Sequence, residues 1–498
     1  LVQRATDEVK AVETAEKSKI NPNSIAVLPF VNMSDDRDNQ YFSDGVSEEI
    51  LNVLARISGL QVAARTSSFS FRDTKKEAPE ISQELHVRML LEGSVRKQGE
   101  RVRITAQLID ADKGYHLWSE TYDRELKDIF SIQDEIANAI AAELKVKIGD
   151  GGAAPASTHA TESVEAHDHF LRGLAFWQTR GADDLWHAVD EFQQAAAADP
   201  SFAEAYAGLA LVYAILPEWS ARITPDESQV KAEDNAERAL GLDPSLPEAY
   251  IVLGYLADGD RRRDTAQALY RRAIALRPSF ATAYQWLGNS LWSGGDLAGG
   301  LANLEHASEL DAASPIIANN HAMALIALGR MDEVKAICAP RLASQPKNVI
   351  CLEPMGIAAT LSGKWDEARS DFDRYAEGVH PGARPEVKAV FDALEGRGDR
   401  HAMADRLAGY KPQSATDPAS ANVFNPYAIT LLIAALGEPK LAIRQLQSYA
   451  PTERAGMAEW AITMLQPAAI HCDPDFVALV GAIRMTDPHF EASCAKKP

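Results

Sequence analysis

Residues 247–280, PEAYIVLGYLADGDRRRDTAQALYRRAIALRPSF, and residues 281–314, ATAYQWLGNSLWSGGDLAGGLANLEHASELDAAS, superimpose without a gap. Tyr250, Leu253 and Gly254 fall on Tyr284, Leu287 and Gly288. Pro244 and Pro278 stand 34 residues apart, and Pro346 lies two such periods beyond Pro278. A 34-residue period is the length of one helix–turn–helix unit in a repeat array. The aromatic and Leu of each first helix fill the seam between helices. Small residues at Gly254, Gly288 and Ala266 let backbones approach, and the closing proline presets the turn.

Large, small, large and proline at these offsets resemble the tetratricopeptide (TPR) repeat. The pattern predicts about six fair repeats over 164–382. Degenerate helices and a cap follow over 383–498. Ten or so extra residues between Pro200 and Pro244 predict a longer loop around Pro217 to Pro225 inside the second repeat. The resemblance implies a protein or peptide partner, held by the second, fifth, ninth and twelfth positions of each first helix. These are Glu248, Ile251, Tyr255 and Asp258; Thr282, Gln285, Asn289 and Trp292; and Ile316, Asn319, Met323 and Ile326. Asn289 and Asn320 match the asparagines of a carboxylate-clamp groove, but Gln285 stands where a clamp lysine would be. The face therefore mixes amides with Tyr255, Trp292 and Met323, which suits an extended or helical peptide. Packing of Tyr255 and Trp292 against neighbouring repeats is the competing expectation.

Upstream the pattern changes. Residues 1–23 read as a polar tether and 24–148 as a mixed α/β domain. Ile25–Leu28 is a short apolar run closed by Pro29, a buried strand. Ser47 is placed to cap a helix over 48–57. Strands are expected at 60–64, 89–96, 102–109 and 116–122, with Trp118 and Tyr122 in the core. A short helix over 79–85 and a long one over 129–148 complete the domain. Residues 149–163 are poor in large apolar side chains and read as a flexible linker.

The stretches SIAVLPFVNMSDD (24–36), YFSDGVSEEI (41–50) and LEGSVRKQGERVRITAQLIDADKGYHLWSETYDRELKDIF (91–130) resemble the TolB-like domain found beside TPR arrays in bacterial multidomain proteins. That resemblance implies an α/β domain before an all-α superhelical solenoid, and no catalytic residues. In that family the pair follows either a winged-helix DNA-binding domain with a membrane helix or a class III nucleotide cyclase domain. It implies a scaffold or sensor, periplasmic or membrane-anchored through a segment upstream of Leu1. The alternatives are a cytoplasmic place and the regulatory region of a cyclase.

Charge and motifs narrow the function. A net charge of −21, from 71 acidic and 50 basic residues, opposes nucleic-acid binding by this chain. No phosphate-binding loop, dinucleotide fingerprint, nucleophile elbow or H-E-x-x-H is present, so no enzyme activity and no cofactor are expected. Asp35, Asp36, Asp38 and Asp44 lack the Gly and Glu spacing of a calcium loop and read as turn and cap residues. His167 and His169 have no further ligand at helical spacing, so no metal is assigned. Arg65 and Arg96 offer an anion-binding edge, or else pair internally with Glu92 or Asp110. Cys338–Cys351 and Cys472–Cys494 are possible disulfides in an oxidising compartment, or else buried thiols. The oligomeric state is not set by any of these features.

Overall fold

The computed structural model describes residues 20–36, 39–55, 57, 59–148, 161–179, 182–220, 222–294, 296–344, 349–379, 381–409, 424, 426–448, 473–476 and 478. They fall in two compact units. One runs to Ala283 and includes Glu309–Ala312; the other holds Tyr284–Ser308 and the residues from Ala313 onward.

The first unit begins with a mixed sheet. Strands β1 (Asn21–Val27), β2 (Val31–Asn32), β3 (Gln61–Val62), β4 (Val87–Gln98), β5 (Arg101–Asp110) and β6 (Tyr115–Glu125) run in the order β3-β1-β4-β5-β6, with β2 also on β4. The β1, β2 and β3 pairings are parallel. β4–β5 and β5–β6 are antiparallel hairpins. Their turns place Gly99 and Gly114 at φ of 58° and 68°, where a side chain would be strained. Helix α1 (Gln40–Ala55) is followed by α2 (Arg65–Phe69) and α3 (Ala78–Leu85), and α4 (Ile129–Ile148) closes the domain. Phe42, Val46, Ile50 and Leu54 of α1 recur at helical spacing and share one core with Ile132, Ile136 and Ile140 of α4 and the sheet residues Leu91, Ile104 and Leu108.

Most expected elements form, with shifted ends. Helix α1 starts well before residue 48, so Ser47 is not a cap. It is buried inside the helix, where its Oγ donates to Ser43 O at 2.8 Å and accepts from Phe30 N at 2.9 Å. Trp118 is half-buried at the margin of the core, and Tyr122 is buried within it.

Helical hairpins follow. In the first unit these are α5 (Val164–Thr179) with α6 (Ala182–Ala198), α7 (Ala203–Trp219) with α8 (Pro225–Leu242), and α9 (Pro247–Gly259) with α10 (Arg263–Leu276). The second unit has α11 (Ala281–Ser293) from Tyr284 onward with α12 (Leu297–Leu310) up to Ser308, then α13 (Pro315–Ala327) with α14 (Met331–Ser344), and α15 (Leu352–Leu361) with α16 (Trp365–Val379). It ends, among the described residues, with α17 (Arg384–Leu394), α18 (Arg400–Ala408), α19 (Pro426–Ala435) and α20 (Pro439–Ser448). The chain is thus a sheet-containing domain followed by a TPR-like series of hairpins.

Glycines set the closeness of each hairpin. A Cβ on Gly254 would lie 2.5 Å from the Tyr270 ring, and one on Gly356 2.8 Å from Phe372. Position 338 is the counterpart of Tyr270 and Phe372 in its own repeat, and Cys338 fills it fully buried. The long loop expected in the second hairpin is absent. Its extra residues lengthen the helices, to 17 in α7 and 18 in α8 against 13 and 14 in α9 and α10. Pro217 lies inside α7. Lacking an N–H, it cannot bond the Tyr213 carbonyl. Ser228 of α8 supplies the missing donor, Oγ to Tyr213 O at 2.6 Å.

Of the tether expected over 1–23, residues 1–19 lie outside the described residues and Asn21 onward is already strand β1. Of the linker over 149–163, residues 149–160 lie outside them, as do Cys472 and Cys494. No helix among the described residues is long and apolar enough to cross a membrane.

Candidate functional site

The face expected to meet a partner comes from the first helix of each hairpin, and its residues divide between the two units. In the first unit α9 carries Glu248, Ile251, Tyr255 and Asp258. Ile251 is buried. Arg277 Nη1 lies 2.5 Å from Glu248 Oε1, and Tyr270 OH donates to Asp258 Oδ2 at 3.1 Å. Tyr255 is half-buried against the hairpin core. The carboxylates of this face are therefore already engaged within the unit.

In the second unit helical spacing sets Gln285, Asn289 and Trp292 on one face of α11, and Ile316, Asn319, Met323 and Ile326 on one face of α13. Gln285 is only 7% exposed, Met323 5% and Ile326 1%. Trp292 packs half-buried against the same core. The expectation that Gln285 and Met323 line an open groove is therefore corrected: both are interior. The cause is composition. From His321 to Ala327 every residue of α13 is buried, so this stretch, Met323 included, is covered all round rather than on one stripe.

What stays partly open is an amide-bearing strip: Asn289, Asn319 and Asn320, with the edge of Trp292. Among the described residues no donor reaches Asn319 Oδ1, although that atom is buried. A buried acceptor without a donor costs about 1–3 kcal/mol. Beside this strip, His321 Nδ1 meets Ser308 Oγ at 3.1 Å. Burial, with Arg341 and Arg330 nearby, lowers the His321 pKa to about 4. Burial raises Glu353 to about 7 and Asp371 to about 6.

Cys338 and Cys351 are brought together as buried free thiols, hydrogen-bonded to each other. The disulfide is not formed in this structure; each sulfur occupies hairpin core, the other reading the sequence had left open.

The anion edge does not assemble. Arg65 Nε pairs with Glu48 Oε2 at 2.7 Å while its guanidinium lies over the Phe69 ring, 4.1 Å from the centroid. Arg96 Nε donates to Met33 O at 3.0 Å. Neither pairs with Glu92 or Asp110, because α2 brings Arg65 to α1 instead, and Asp110 is taken by Arg88 at 2.7 Å. A cleft of about 400 Å3 beside Arg88 is lined by Ile20, Ser82, Asp110, Asp112 and Lys113, and its charges pair with one another. Asp44 is engaged by Arg72 Nη2 and Gln40 Nε2. His167 and His169 turn to different carboxylates, Glu49 and Glu191. Asp38 lies outside the described residues. Among the described residues no group of three or more His, Cys, Asp or Glu is placed to hold a metal ion.

Sequence reading missed a polar junction between the sheet domain and α5. Tyr41 OH donates to Asp168 Oδ1 at 2.7 Å, and Lys97 Nζ and Arg172 Nη2 lie 3.3 and 2.8 Å from the same carboxylate. Nearby, Glu49 receives both His167 Nε2 and Gln133 Nε2. A Cβ on Gly45 of α1 would overlap Leu171 of α5, so the two helices touch closely.

Comparison with known proteins adds the following. The family model for the second domain of HilA/YgeH-like transcriptional regulators matches residues 21–139, the sheet domain. A putative adenylate cyclase 3 of Rhizobium meliloti is 37% identical over 246 residues, covering 49% of this chain and 42% of that protein. The chloroplastic PsbB mRNA maturation factor Mbb1 of Chlamydomonas reinhardtii is 31% identical over 180 residues, covering 33% and 26%. The chain thus matches less than half the length of either relative. Among solved structures, a tetratricopeptide repeat protein from Parabacteroides merdae aligns at TM-score 0.35 and 15% identity, over 55% of this chain and all of that one. PilF of Pseudomonas aeruginosa aligns at 0.34 and 19%, over 45% and 97%. At such TM-scores the fold assignment rests on the hairpins themselves.

Proposed function

We propose that this chain is a non-enzymatic binding module, in which the hairpins hold a protein or peptide partner and the sheet domain couples that event to an attached effector. The observation that carries this reading is the partly open amide strip of α11 and α13, Asn289, Asn319 and Asn320 beside Trp292. Amide side chains both donate to and accept from a peptide main chain. The match of residues 21–139 to a domain of transcriptional regulators supports a regulatory setting. On this reading the sheet domain is TolB-like and the module is tethered outside the cytoplasm, which fractionation of the native protein would test.

A second reading is that the chain regulates a class III nucleotide cyclase. The relative named as a putative adenylate cyclase supports it. Both readings leave the chain itself without chemistry, and they differ in the effector.

The test is crosslinking capture with the full chain and with an Asn289→Ala/Asn319→Leu variant, the fold checked by circular dichroism. A partner held by the wild type and lost by the folded variant supports the strip. A partner held equally by both removes it. Nucleotide-cyclising activity in the captured complex selects the second reading.

A further inference from the structure

Helices α8 and α10 are second helices of successive hairpins in the first unit, and their outward faces carry opposite charge. On α8 the buried residues Ser228, Ala232, Ala236 and Ala239 define the inner stripe. The opposite face presents Asp226, Val230, Glu233, Asp234 and Glu237, all exposed, with exposed Lys231 and Arg238 at its edge over the Tyr213 and Tyr206 rings. On α10 the inner stripe is Ala266, Tyr270 and Ala273. Outside it stand Arg271 and Arg272 with Asp264, and the turn before the helix adds Arg261, Arg262 and Asp260, all exposed, so arginines outnumber carboxylates there.

The two helices meet at the turn before α10. Gln229 Nε2 of α8 donates to Asp260 Oδ1, in the turn that carries these arginines, at 3.2 Å. Beside that bond Val230 is 57% exposed, and Leu242 at the far end of α8 is 42% exposed. These are single apolar side chains twelve residues apart, so the complementarity of this surface lies in its charges. Arg262 is taken by Asp260, Nη2 to Oδ2 at 2.9 Å, whereas Arg271 has Gln267 at 3.4 Å and Arg272 lies 5.8 Å from the Tyr250 centroid.

We infer that this surface joins two copies of the chain, the acidic face of α8 in one copy lying against the arginines of α10 in the other. An acidic strip beside a basic one is self-complementary under a two-fold rotation, because each strip then meets its opposite twice. Charge complementarity therefore selects a second copy over nucleic acid, whose phosphates the adjacent carboxylates of α8 repel. The net charge of −21 opposes association at long range, so salt acts in both directions and is a poor diagnostic. Charge exchange is the better one.

Sedimentation velocity over a concentration series of the full chain tests the inference. The wild type should dimerise, and Arg271→Glu/Arg272→Glu should raise the dimer Kd at least about tenfold. Asp234→Arg/Glu237→Arg should do the same, and the four changes combined in one chain should restore the dimer. These positions are solvent-exposed, and circular dichroism would show each variant folded. A wild type that stays monomeric overturns the inference. So does a dimer indifferent to either pair, or a combined variant no tighter than the separate ones.

Discussion

Ser228 Oγ donates a 2.6 Å hydrogen bond to the carbonyl of Tyr213, the acceptor that Pro217 leaves without its helical donor. A proline inside a helix is tolerated here because the next helix brings a buried hydroxyl to the vacant carbonyl. The same bond clamps α7 to α8. Ser228→Ala leaves that carbonyl unsatisfied and should cost about 1–3 kcal/mol, read as a lower midpoint in chemical denaturation. An unchanged midpoint would show that the bond does not hold the hairpin.

Close packing at the helix crossings makes a sharper contrast. Gly254→Ala forces a methyl against the Tyr270 ring, and should destabilise by about 1–3 kcal/mol despite alanine's better helix propensity. Gly241→Ala, at the exposed end of α8, meets no atom within 4 Å and should stabilise by up to about 1 kcal/mol. Thermal unfolding of the two variants should move in opposite directions.

The period, the small residues at crossings and five of the sheet domain's strands were legible in the sequence, because each is a local pattern; the two-residue β2 was not, being too short to show one. The openness of the partner face was not. Met323 sits at a position that faces a ligand in an open array, but α13 is buried throughout from His321 to Ala327, and Gln285 of α11 is itself only 7% exposed. The junction was invisible for another reason. Tyr41 and Asp168 are 127 residues apart, and nothing near either residue announces the other.

That junction yields its own expectation. Burial raises the Asp168 pKa, but Tyr41, Lys97 and Arg172 outweigh it, and the net shift is downward. Tyr41→Phe removes one bond to the carboxylate and should cost about 1.5–3 kcal/mol. Asp168→Asn should cost more, because it leaves Lys97 and Arg172 without their counter-charge. If the sheet domain and the first hairpin unfold together in the wild type, these variants should separate their transitions in calorimetry. A single sharp transition in both variants would count against a coupling role.

Glu353 gives the second unit a pH dependence with a definite sign. Its carboxyl holds its proton up to a pH of about 7 in the folded chain, against an ordinary value of 4.5. The folded state therefore binds more protons in that window, and stability falls as pH rises from about 4.5 to 7. His321, lowered to about 4 from 6.5, acts oppositely: its contribution is lost as pH falls from about 6.5 to 4. Comparison with Glu353→Gln isolates the carboxylate. That variant should be more stable than wild type by about 1–3 kcal/mol at pH 8 and equal to it at pH 4. A constant difference across pH would reject burial of the charge as the cause.

Hydrogen–deuterium exchange of the full chain, with and without its captured partner, tests the binding account most directly. Protection should concentrate on residues 285–293 of α11 and 316–323 of α13, and be absent in the Asn289→Ala/Asn319→Leu variant. Protection confined to the sheet domain at 24–148, with these helices unchanged, would contradict it.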